Sequence, residues 1–129
     1  MSKPLLHIFI TALLILTAAC SDQLADNPHK AIIGEWKGKH EEPAIFIFHS
    51  DKTATLFMEG RKLDIDQWRL DESYDPMHLD LEGRVGGRTR TLVGITGFLD
   101  DNTLNIKIGF NGQRPKGFFG RDRIILERQ

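Results

Sequence analysis

After residue 30 no apolar stripe at 3.6-residue spacing survives for three turns. Apolar residues fall instead into short alternating or wholly apolar runs, cut by turn formers. A period of two sends successive side chains to opposite faces of a strand, so this pattern calls for β-structure and excludes a helical body. The runs span residues 32–39, 44–49, 53–59, 62–70, 77–82, 88–97, 104–110 and 123–128. Turn signals stand between them: Ser50-Asp51-Lys52, Gly60-Arg61, residues 71–76, 83–87 and 99–102, and a Gly-rich loop over 111–120. Ala44-Ile45-Phe46-Ile47-Phe48 is apolar on both faces and should be covered on both sides. Between Ile65 and Trp68 the apolar phase slips by one residue, which predicts a β-bulge near Asp66-Gln67. Eight short strands with short connections predict an all-β, up-and-down antiparallel barrel, whose closure removes unpaired edges. The apolar rows Phe46, Phe48, Phe57, Ile95, Ile106 and Phe110 are expected to face inward.

The first 20 residues read differently. Lys3 gives a positive start, residues 5–16 are almost wholly apolar, and Thr17-Ala18-Ala19 are small. Those three regions describe a secretory signal peptide. The apolar run is shorter than the roughly 20 residues a membrane span needs. Leu16-Thr17-Ala18-Ala19-Cys20 resembles the lipobox of bacterial lipoproteins, with Thr17 where that family usually has Leu. The resemblance implies cleavage before Cys20, the chain's one cysteine, and lipidation of its sulfur and freed amine. Several acyl chains give stable anchoring where one does not. The same resemblance to envelope lipoproteins implies, from Ser21 after the cysteine, an outer-membrane position facing the periplasm. The expected organisation is a signal peptide over 1–19, a lipidated Cys20 with a polar tether over 20–30, and a barrel domain over 31–129.

Gly34-Glu35-Trp36 on the first run resembles the Gly-x-Trp opening of lipocalins and related calycin barrels. That resemblance implies a Trp36 that plugs the closed end of the barrel beside Gly34. It also implies a basic residue of the last strand, Arg128 or Arg123, stacked over the indole. A wider resemblance is to an uncharacterised family of bacterial lipocalin-like domains. It rests on Leu70-Asp71, Pro76, Leu79-Asp80-Leu81, Gly94-Ile95, Asp101-Asn102-Thr103-Leu104 and Arg114-Pro115, in that order. It supports the fold and carries no activity with it.

Charge and motif content narrow the function classes. With 17 basic and 18 acidic residues in 129, the chain lacks the excess of positive charge that duplex binders use. A single cysteine excludes an internal disulfide framework and every four-cysteine zinc site. Gly-x-Ser-x-Gly is absent, and His49 beside Ser50 would point to the opposite strand face. His40, Glu41, Glu42 and His49 carry metal-ligand chemistry, but their spacing does not force convergence, and a solvated turn is the expectation. His78 and Asp80 should share the outer face of one strand. Arg88 and Arg90 should share a face, with Arg84 extending the row, and Arg114, Lys116, Arg121 and Arg123 add positive charge near the last loop. Phe118-Phe119 cannot both be buried by a simple strand, so one is expected to plug the core, to line the barrel mouth or to contact a partner, with core plugging the leading expectation. The sequence thus predicts a non-enzymatic lipoprotein of the cell envelope, with no cofactor, no metal and no nucleic-acid partner. Its barrel would bind a small apolar or amphipathic molecule. The alternative is a protein-interaction module acting through Arg114, Phe118 and Phe119.

Overall fold

A computed structural model describes residues 27–40 and 42–129. A short helix, α1 (Pro28–Ala31), leads into eight strands: β1 (Gly34–Gly38), β2 (Ala44–Phe48), β3 (Ala54–Met58), β4 (Arg61–Asp71), β5 (Met77–Val85), β6 (Arg88–Asp100), β7 (Thr103–Gly109) and β8 (Arg123–Arg128). Each strand pairs antiparallel with the next, and β8 returns to β1, so the sheet is a closed up-and-down barrel. Closure gives every strand two partners, leaving no open sheet edge to protect. Cys20, the expected signal peptide over 1–19, most of the expected tether and Glu41 lie outside the described residues. Among the described residues no helix is long and apolar enough to cross a membrane.

The register fixes which residues point inward. Trp36 pairs with Phe46, Phe46 with Leu56, and Leu56 with Leu63, so one apolar row runs across four strands. Trp68, Leu81 and Leu92 form another row, and Leu104 with Leu126 a third. Trp36, Phe46, Phe48, Leu56, Trp68, Leu79, Leu81, Leu104, Ile106 and Leu126 are almost wholly removed from solvent and fill the lumen. Each such burial contributes about 1.5–3 kcal/mol of transfer free energy. Phe48 meets Trp68 edge to face, centroids 5.6 Å apart at 82°, the arrangement that sets a positive ring edge against a negative ring face.

The predicted bulge is present: the β4–β5 register shifts between Ile65 and Gln67. Its partner must be glycine, because a Cβ on Gly83 would stand 2.6 Å from the Asp64 carbonyl oxygen. A second shift, between Phe98 and Asp100, was not predicted. It lets β6 run on to Asp100, through the start of the turn expected over 99–102, and leaves Leu99 exposed.

Three of the expected inward residues do not face the lumen. Phe57 pairs with Ile45 and Lys62 on the outer face and is 38% exposed. Ile95 pairs with His78, also outside, although it is buried there. Phe110 lies past the end of β7 and is 62% exposed. The sequence shows alternation but not which phase faces inward, and bulges reset that phase. Arg84 pairs with Thr89 and so stands on the opposite face from Arg88 and Arg90. Residues 27–30, expected as part of a polar tether, are ordered around α1. Asn27 caps α1 by accepting the Lys30 N–H at 3.2 Å, Pro28 takes the first helical turn and is buried, and His29 Nε2 donates to the Leu70 carbonyl at 2.8 Å.

Candidate functional site: a cleft beneath the last loop

The two ends of the barrel are built differently. At the end carrying α1, Trp36 Nε1 donates to the Ile32 carbonyl at 2.8 Å. Arg128 lies over the Trp36 ring, 4.3 Å from its centroid. Its guanidinium also donates to the carbonyls of Ala31 at 2.8 Å, Asp101 at 3.2 Å and Ile33 at 3.4 Å. Gly34 sits at φ 136°, where an L side chain is strained, and a Cβ there would face Arg128. These residues join the helix, the first strand and the last strand into one plug.

Residues 110–122 join β7 to β8 and form a strap across the outside of the barrel. Four contacts pin it. Arg114 Nη1 donates to the Gly94 carbonyl at 2.9 Å. Arg114 Nη2 lies 2.8 Å from Asp80 Oδ1, a charge contact outside hydrogen-bond geometry. The Phe118 ring reaches 4.0 Å from where a Cβ on Gly97 would stand, so it seats in the notch that glycine leaves on the outer face. Lys107 Nζ donates to the Phe119 carbonyl and holds the far end of the strap. Gly112, at φ +85°, supplies the turn. Pro115 and Arg114 lie beside Ile95, and Ile95 is 2% exposed on the outer face of the sheet.

The strap encloses a cleft of about 440 Å³ whose walls include Lys107, Phe110, Arg114, Lys116, Phe119 and Asp122. Phe119 is 73% exposed and Phe110 62%, the two most exposed large apolar side chains among the described residues. The pair Phe118-Phe119 therefore divides its work: the first ring anchors the strap and the second stands in solvent. On the other side of Arg114, a smaller recess of about 310 Å³ is walled by Tyr74, His78 and Ile95. There Tyr74 stacks on His78 with centroids 3.6 Å apart. A third recess, about 680 Å³, opens at the plugged end between Tyr74, Met77, Phe98 and Leu99, with Glu72 and Asp100 at its edge.

Among the described residues the remaining candidates do not assemble into a metal site. Asp80 lies against the Arg114 guanidinium and His78 stacks its ring on Tyr74. His40 sits in a turn at φ 55°. The carbonyl of His49 receives Trp68 Nε1 at 3.1 Å. Among the described residues no three His, Cys, Asp or Glu side chains converge. Three aspartates have carboxyls held below the ordinary value of 3.8, each by accepting hydrogen bonds in a turn: Asp51 from the Thr53 hydroxyl and N–H, Asp71 from the Ser73 hydroxyl and N–H, and Asp100 chiefly from the Asn102 N–H. Each shift arises from hydrogen bonds that close a turn.

Lys107 and Tyr74 escaped the sequence analysis, and Phe110, expected in the lumen, lines the cleft instead. Lys107 reads as the polar phase of an alternating strand, and only the β7–β8 register sets it against Arg123. Comparison of the chain with protein-family models, with curated proteins and with solved structures returns no match.

Proposed function

We propose that the protein is a non-enzymatic binding domain of the bacterial cell envelope, anchored through a lipid on Cys20. It engages a protein partner through the cleft beneath the strap. The observation that carries this reading is that Phe110 and Phe119, both largely exposed, line one concave surface on a strap held by Arg114 and Phe118. Exposed aromatics on a pinned frame lose little conformational freedom on binding, and such residues dominate interface energetics. The lumen, filled by large apolar side chains, favours an external contact over cargo inside the barrel.

Phe119→Ala is expected to abolish co-purification of the partner from the native host while the melting temperature stays unchanged. Phe57→Ala, an exposed aromatic on another part of the barrel, is expected to keep the partner. Equal capture by both variants would remove the cleft from consideration. The anchor has its own test: Cys20→Ala is expected to move the protein from the membrane fraction to the soluble one. Retention in the membrane would overturn the lipid assignment.

A second reading, a carrier of a small apolar or amphipathic molecule, is favoured by the 680 Å³ recess beside Met77, Phe98 and Leu99. Its size lies within the range of small-molecule sites, about 300–1,000 Å³. Native mass spectrometry of the protein from its own host separates the two. A bound small molecule supports the carrier, and a bare mass with a protein partner supports the interaction domain.

A further inference from the structure

The chemistry of the partner is written in the charges around the cleft. Lys107 and Arg123 are direct cross-strand partners on the outer face of β7 and β8. Like charges placed directly opposite destabilise a sheet, so the arrangement works against the fold that carries it. Lys116 adds a third positive charge in the cleft wall, and among the described residues neither it nor Arg123 has an acidic group within ion-pairing distance. Arg114 is already committed to Asp80 and the Gly94 carbonyl. Asp122 is the one carboxylate in the walls. Two exposed rings thus stand beside Lys107, whose ammonium is held by the Phe119 carbonyl, and beside further cations with no carboxylate partner among the described residues.

We infer that the strap cleft takes an acidic peptide segment of a partner protein, with an apolar residue set between Phe110 and Phe119 and carboxylates facing Lys107, Lys116 and Arg123. This rests on the interaction reading above and names its ligand class. The carboxylates would relieve the Lys107–Arg123 repulsion, so binding would remove a cost the free protein carries. A concave cleft walled by aromatic rings fits a protruding segment, whereas a lipid bilayer presents a flat face that cannot enter it.

The test is selection of a random dodecapeptide display library on the full-length chain, repeated on Phe119→Ala and on Lys116→Glu/Arg123→Glu. The double variant changes two exposed side chains that hold no part of the strap. Arg123→Glu alone puts opposite charges across β7 and β8, so its melting temperature should rise above that of the parent. The expected enriched peptides are acidic and carry an aromatic or aliphatic residue. Their recovery should fall about tenfold or more on the double variant, and also with added salt. Enriched peptides without acidic bias that are lost on Phe119→Ala would overturn the acidic class and leave the interaction reading standing. Peptides recovered equally on Phe119→Ala would overturn both, as would the absence of any enrichment. In that last case binding to phosphatidylglycerol vesicles, lost on the double variant, would assign the basic face to a membrane surface.

Discussion

Trp36 is the residue on which most of the plug depends. It is fully buried, its indole N–H is satisfied by Ile32, and Arg128 covers its face. Trp36→Ala is expected to cost about 3–5 kcal/mol, read as a shift in the urea midpoint followed through Trp68 fluorescence. A change under about 1 kcal/mol would mean that the plug contributes little. Arg128 is a different kind of participant, since one planar guanidinium serves carbonyls on α1, the β1 lead-in and the β6–β7 turn. An ammonium has no fork that spans three acceptors, so Arg128→Lys should recover little of the stability lost in Arg128→Ala. That loss is expected at about 1.5–3 kcal/mol, the scale of hydrogen bonds to a charged group, measured by thermal and urea denaturation.

At the scale of elements, the three loops at the plugged end share one device. Asp51, Asp71 and Asp100 each accept the backbone N–H two residues on, at 3.0, 3.0 and 2.8 Å. Accepting these bonds favours the ionised carboxylate, which is why each pKa falls below 3.8. A group whose folded pKa is depressed adds stability above its unfolded pKa and loses it as pH falls through the folded one. Stability should therefore be flat above about pH 5 and decline below pH 4. The triple Asp→Asn variant should flatten that decline, as seen in urea midpoints collected from pH 6 to pH 2.5. The strap is the other element whose behaviour follows from its pins. Arg114→Ala removes the donor to Gly94 and leaves the Asp80 carboxylate without its cation. Amides of residues 111–120 should then exchange with solvent at least tenfold faster, while β2 and β3 amides keep their rates. Unchanged exchange in the strap would show that Phe118 in the Gly97 notch holds it alone.

At the scale of the whole molecule, plug and cleft are separable because the barrel isolates them. The plug is built from the N-terminal segment and the end of β8, whereas the strap lies between β7 and β8 and rests on the outer face of β6 and β7. Substitutions at Phe119 and Trp36 share no partner, so their effects on stability should add within about 0.5 kcal/mol in a double-mutant cycle. A larger coupling would mean that strap and plug move together. The chain enters the barrel through α1 at the plugged end, opposite the β5–β6 turn. A membrane tether reaching α1 would hold that end toward the lipid and leave the flank carrying the strap open to a partner.

Alternation and turn formers were legible in the residues alone, and they determined strand number, connection type and closure. The bulge at Asp66-Gln67 was legible too, because a one-residue slip in apolar phase has no other simple reading. Local backbone preference and period decide such features, and both are written along the chain. Which phase faces the lumen was not. Ile95 looks like a core residue and is buried, yet it is buried on the outside by a strap whose path depends on Arg114 finding the Gly94 carbonyl. The opposition of Lys107 to Arg123 and the cleft between Phe110 and Phe119 likewise exist only once register is set. Register is a long-range property: it follows from bulges and closure around the full circuit of strands, and a window of sequence does not contain that circuit.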